Sequence, residues 1–249
     1  MAKQSGIIKL QGKLDDISFY HTGDGHLARK KGGVDAARIK SDPKFARVRE
    51  NNAEFGNAAD GARMFRRAIK PLLKVASDGR MISRLMRTMF EIKNLDTINV
   101  RGRRNVGEGI QDPQAHVLLK DFQFNRSSEL GEVLQRNYQV NTTTGVITIN
   151  DLIPVEDLSF PAAATHVTLK GAWLNIDFST GAYELEHSNE VNLPIDATQT
   201  DVVLTPAALP GGSGLDFGFL TVAFYQEVNG VQYSLKNGVH NALAIVAIV

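Results

Sequence analysis

The stretch His166-Val-Thr-Leu-Lys-Gly-Ala-Trp-Leu-Asn-Ile-Asp-Phe178 alternates apolar with polar residues, the two-residue period of a strand laid on a core. That alternation turns Val167, Leu169, Trp173 and Ile176 towards the interior, so the lone tryptophan reads as a core residue rather than a sugar platform. Working outward, the same period recurs over residues 116–124, 132–140, 145–150, 182–187, 202–205, 217–227, 231–235 and 241–249. Seven to nine strands in about the last 130 residues is the count of an antiparallel β-sandwich. Asn141-Thr-Thr-Thr-Gly145, Ser179-Thr-Gly181 and Asn229-Gly230 supply hairpin turns between them.

Upstream the period lengthens to about 3.6, which marks helices. Ser41-Asp42-Pro43 is a helix start, and Phe45, Val48, Phe55, Ala59, Ala62, Phe65, Ile69, Leu72 and Leu73 keep helical spacing behind it. Gly56, Gly61 and Pro71 divide this run. Asp78 caps a further helix with Met81, Ile82, Leu85, Met86, Met89 and Phe90 on one face. Ahead of the helices, residues 6–31 read as an antiparallel meander: Ile17, Phe19 and His21 alternate with Ser18 and Tyr20, and Gly23-Asp24-Gly25 makes the turn. The expected fold is therefore α+β, an N-terminal β-meander and helical region followed by an antiparallel β-sandwich. The expected organisation is a basic hairpin-plus-helices region over 1–114 and an acidic sandwich domain over 115–249.

Charge follows the same division. Residues 1–120 hold 24 Lys+Arg against 13 Asp+Glu, while residues 121–249 hold 4 against 14. Two surfaces of opposite sign suit either contact between copies or an anionic partner for the basic half. Arg63, Arg67, Lys70 and Lys74 share one helix face, Arg80, Arg84 and Arg87 repeat the pattern, and Arg101, Arg103 and Arg104 follow in a loop. These stripes read equally as solvated outer faces and as phosphate-tracking surfaces. The segment Ala242 to Val249 is apolar to its last residue and must be buried. It is either a central strand of its own subunit or a strand given to a neighbour, with Ile245, Val246, Ile248 and Val249 as its anchors.

Chemistry is absent from this pattern. With no cysteine there is no disulfide, thiolate metal site or cysteine nucleophile. No Gly-x-Ser-x-Gly elbow, His-Glu-x-x-His pair or phosphate-binding loop occurs. His21 and His26 flank a turn without further ligands, so neither metal nor cofactor is expected. The opening residues lack the pattern of a secretory leader and no apolar run approaches a membrane span, which points to a cytoplasmic protein with no membrane partner and no small-molecule substrate. The run Gly6 to Tyr20, the segment Leu27 to Val34, and Asp42-Pro-Lys-Phe45 through Gly56 resemble uncharacterised bacterial proteins of unknown function, a resemblance that implies no activity. The expectation is a non-enzymatic structural protein, a homo-oligomer in which the basic N-terminal region of one subunit meets the acidic sandwich of the next as a filament or ring. The alternative is a nucleic-acid-associated protein that uses its basic half.

Overall fold

A computed structural model describes residues 2–30, 32–235 and 239–249. Lys31, the last residue of the expected meander, lies outside the described residues. The chain forms two compact units, Met1–Arg49 and Glu50–Val249, rather than dividing at 114/115.

In the first unit β1 (Ala2–Lys3), β2 (Gly12–Leu14), β3 (Ile17–Thr22) and β4 (Gly25–Lys30) make an antiparallel sheet in the order β1-β4-β3-β2. Gly25 takes the left-handed φ of +106° that the β3–β4 turn needs. Residues paired directly across antiparallel strands point to one side, so Leu14 opposite Ile17 and Phe19 opposite Ala28 place an apolar stripe on one face. The other face carries Lys13, Ser18 and Arg29 in one row and Lys3, Tyr20 and Leu27 in the next, with the Arg29 guanidinium 5.5 Å from the Tyr20 ring centre. α1 (Ala36–Ser41) is capped by Asp35, and the Asp42 side chain caps the turn at Pro43 as its sequence signal predicts. No described residue between 2 and 49 is buried.

α2 (Ala46–Ala68) runs into the second unit, followed by α3 (Lys70–Leu73), α4 (Met81–Lys93), α5 (Val106–Gly109), α6 (Pro113–Leu119) and α7 (Leu130–Val133). The strands come next: β5 (Gln139–Val140), β6 (Ile147–Leu152), then after the single turn α8 (Pro154–Asp157), β7 (His166–Ile176), β8 (Tyr183–Pro194), β9 (Thr200–Leu204), β10 (Leu215–Val228), β11 (Val231–Ser234) and β12 (Ala242–Ile248). β11, β10, β7 and β8 make the central antiparallel sheet, with β12 on the same edge of β10 as β11. β5, β6 and β9 make a second, smaller sheet.

Strand alternation assigns the two faces of the central sheet to two cores. Ala172, Leu174, Phe217, Phe219, Leu243 and Ile245 pack against the apolar faces of α2 and α4, with Phe65 in the middle of a phenylalanine cluster whose ring centres lie 5.2 to 6.5 Å away. Val167, Leu169, Leu220, Val222 and Phe224 pack against Ile147, Ile149, Val202 and Leu204 of the small sheet. The second unit is therefore three layers, helices on a sheet on a sheet, and the two sheets are an antiparallel sandwich. Trp173 is 1% exposed and its indole N–H donates to the Gly145 carbonyl at 2.8 Å, so it is a core residue. Asn229 and Gly230 both take positive φ at the β10–β11 turn, the pairing that two-residue hairpins select.

Two expected strands are replaced. Residues 116–124 contribute helix α6, because Asp112-Pro113 is the same start signal as Asp42-Pro43: the Asp112 side chain accepts from the Gln114 amide and buries Ala115 and Leu119 on one face. Residues 132–140 yield the end of α7 and the two-residue β5, the remainder being irregular. A close approach also fixes α5 to α4: a Cβ on Gly109 would sit 2.1 Å from the Ile92 carbonyl oxygen, so only glycine lets these backbones meet.

Candidate assembly surfaces

The helical layer turns its apolar faces to the central sheet, which leaves its cations outside. Arg63, Arg67, Lys70, Lys74, Arg80, Arg87, Arg101 and Arg103 are exposed. Some are engaged locally: Arg63 with Asp60 at 2.5 Å, Arg87 with Glu91 at 3.0 Å, and Arg101 with Glu50 at 3.5 Å. Exposed pairs of this kind contribute little to stability. Arg84 belongs to the fold, since its half-buried guanidinium bonds both oxygens of Asp78 and the carbonyls of Gln123 and Phe124. Arg104 is half-buried beside Glu54 and lowers the pKa of that carboxyl. Arg67, Lys70, Lys74, Arg80 and Arg103 have no ion-pair partner among the described residues.

The loop joining α4 to α5 is tightly built. Buried Asp96 accepts from the amides of Ile98, Asn99 and Asn105 and from the Asn99 side chain, all at 2.9 to 3.0 Å. Burial raises its pKa, these bonds outweigh burial, and the carboxyl is held below its ordinary range. Gly102 takes φ +91°, and its amide donates to Glu54. The loop so held presents Ile98 and Val100, 77% and 70% exposed, next to Arg101 and Arg103.

On the opposite outer layer the sign reverses. Asp151, Glu156, Asp157, Asp196 and Asp201 gather around the ends of β6, α8 and β9, joined by bonds such as the Asp151 amide to Asp201 at 2.8 Å and the Val155 amide to the Asp196 carbonyl at 3.1 Å. Arg136 is the cation beside them, 3.7 Å from Asp151 and 4.0 Å from Asp157. The first unit carries 11 Lys+Arg and 5 Asp+Glu, the second 17 and 22.

The C-terminal anchors lie within their own sheet. Ile245 and Val246 are buried in β12, one in each core, Ile248 is half-buried at its end, and Val249 is exposed. Of the two readings of this strand, the structure has the one internal to the subunit. Sequence reasoning missed Arg126, which lines a groove with Arg80, Arg84 and Arg87, and did not see that Leu14 and Ile17 are exposed while Phe19 on the same face is half-buried. The His21 and His26 rings stand 4.5 Å apart, and no group of three metal-ligating side chains occurs among the described residues. No described helix is long and apolar enough to cross a membrane. No protein-family model, no curated protein and no solved structure matches the chain.

Proposed function

We propose that this is a non-enzymatic structural protein that self-associates, the N-terminal sheet of one copy lying on the acidic outer layer of the next. The supporting observation is an apolar stripe on the N-terminal sheet in which Leu14 and Ile17 are exposed and Phe19 is half-buried. Leu14 is 63% exposed and Ile17 38%, and Ile7, Ile8 and Leu10 of the segment between β1 and β2 are 48% exposed or more. A sheet stays folded in water when a second layer covers its apolar face, and none of the described residues between 2 and 49 is buried. The unit's excess of cations selects an acidic cover, and the Asp151 to Asp201 region carries that sign. Each large apolar side chain removed from water there contributes about 1.5 to 3 kcal/mol, while charge sets orientation. Two different surfaces meeting make a heterologous contact, which closes into a ring or continues as a filament according to its rotation.

The test is the mass of the full chain by light scattering in low and high salt. Oligomers at low salt that shrink as salt rises are expected, with Phe19→Asp giving monomers whose main unfolding transition is unchanged. A wild-type chain that is monomeric in both buffers removes this reading.

Arg67, Lys70, Lys74, Arg80 and Arg103, exposed and without an ion-pair partner among the described residues, favour a second reading, docking on nucleic acid. It predicts binding of duplex or single strands by the full chain whose affinity falls steeply with salt. Absence of binding at low salt ends it. The full chain is required, because a fragment of residues 1–115 would strip the helices from the sheet that completes their core.

A further inference from the structure

Beside the N-terminal end of α4 lies a groove of about 650 Å³ whose lining residues include four arginines, Arg80, Arg84, Arg87 and Arg126, and two serines, Ser83 and Ser127. The one carboxylate in its lining, Asp78, is fully engaged. Both its oxygens bond Arg84, and the same oxygens accept the backbone amides of Arg80 at 2.7 Å and Arg126 at 2.9 Å. The Arg84 hydrogen bond first, and the two amides with it, hold the Asp78 carboxyl far below the usual carboxylate range, so it stays ionised and bound to its frame. Asp78 thereby fixes both walls of the groove by their backbones. The side chains of Arg80 and Arg126 rise from that frame with no carboxylate of their own among the described residues.

We propose that this groove is a binding site for a phosphate monoester of a small polyhydroxylated molecule. Two free guanidinium forks and two hydroxyls offer more donors than a carboxylate has lone pairs, and a tetrahedral oxyanion with three terminal oxygens matches them. The volume leaves room for an organic substituent. An adjoining groove of about 570 Å³ shares Arg84, Arg87 and Arg126; among the lining residues it does not share are Glu91, which is bonded to Arg87 at 3.0 Å, Asp121 and Glu129. Carboxylates there accept from hydroxyls, so the phosphoryl group lies at the Arg80 end and the polyol at the Glu129 end. The site is independent of the assembly reading, since neither groove involves the first unit or the Asp151 region.

The experiment titrates the full chain with a hexose 6-phosphate, the parent hexose and inorganic phosphate at constant ionic strength, by calorimetry and thermal shift. Both phosphorylated probes are expected to bind, the ester more tightly, and the bare hexose to leave the melting temperature unchanged. Arg80→Gln with Arg126→Gln should weaken both by about tenfold or more, because charge-assisted bonds are lost while the Asp78 amide bonds remain. Glu129→Gln should weaken the ester alone. Mass by light scattering should be the same for all variants. The proposal is overturned if neither phosphorylated probe binds, if inorganic phosphate binds and the ester does not, or if the Arg80/Arg126 double variant binds as tightly as wild type.

Discussion

Deletion of Ala242 to Val249 is expected to abolish the folded second unit. β12 is bonded on both sides, to β10 over Phe217 to Val222 and to residues 121–124 through Asp121, Phe122 and Phe124. Its side chains serve both cores: Leu243 and Ile245 contact the helical layer, Ala244 and Val246 the small sheet. Burying Leu243, Ile245 and Val246 contributes about 1.5 to 3 kcal/mol each, a sum comparable with the 5 to 15 kcal/mol by which whole domains are stable. The deletion also opens the middle of β10 and unpairs the buried amide of Phe124. The expected product is insoluble or lacks a cooperative transition by circular dichroism. A milder variant, Ile245→Ala, should fold with a loss of about 2 to 5 kcal/mol in urea. A soluble truncated chain with wild-type unfolding would show that the strand is dispensable.

Much of this arrangement is legible in the sequence because the relevant forces are local. The two-residue period of β7 and the apolar face of α4 follow from side-chain direction alone, and the turn at Asn229-Gly230 from its backbone conformation. The burial of β12 follows from its composition. Two kinds of information were not local. Residues 116–124 carry apolar positions that fit either period over so short a length, and the Asp112-Pro113 cap decides for helix. The domain division was drawn where the period changes, yet Phe65 and Phe219 lie 6.1 Å apart in one core. Periodicity says which face of an element is buried and is silent on what it meets. The same holds for the surfaces. Basic stripes were visible by spacing, while the division between Arg84, which bonds Asp78, and Arg80, whose side chain is open, depends on contacts 40 or so residues distant in the chain, such as Arg84 with the carbonyls of Gln123 and Phe124.

Lys93→Met is expected to cost about 3 to 5 kcal/mol of stability at neutral pH, more than any exposed charge in the molecule. The Lys93 ammonium and the Glu54 carboxylate bond each other with side chains 2% and 5% exposed, joined by the Gly102 amide and with the Phe90 ring 4.3 Å from the ammonium. Burial by itself raises the Glu54 pKa; the Lys93 bond, the Gly102 amide and the charges of Lys93 and Arg104 together reverse that and leave it lowered. A carboxyl lowered in the folded state contributes stability above its unfolded pKa, and that contribution fades as pH falls through the folded value. Without Lys93 the largest lowering contribution vanishes together with the Lys93 charge, the Gly102 amide and the Arg104 charge are left against burial, and the Glu54 pKa is expected to rise above its unfolded value. The sign then inverts: the variant gains stability relative to wild type as the carboxyl takes up a proton. Adding Glu54→Gln to Lys93→Met removes the uncompensated charge and keeps an oxygen for Gly102, so the pair variant should recover most of the loss. Urea unfolding of the three proteins at about pH 7 and about pH 5 separates these effects. A Lys93→Met chain as stable as wild type at neutral pH would mean that Glu54 reaches water, and that the α2–α4 junction is not closed around it.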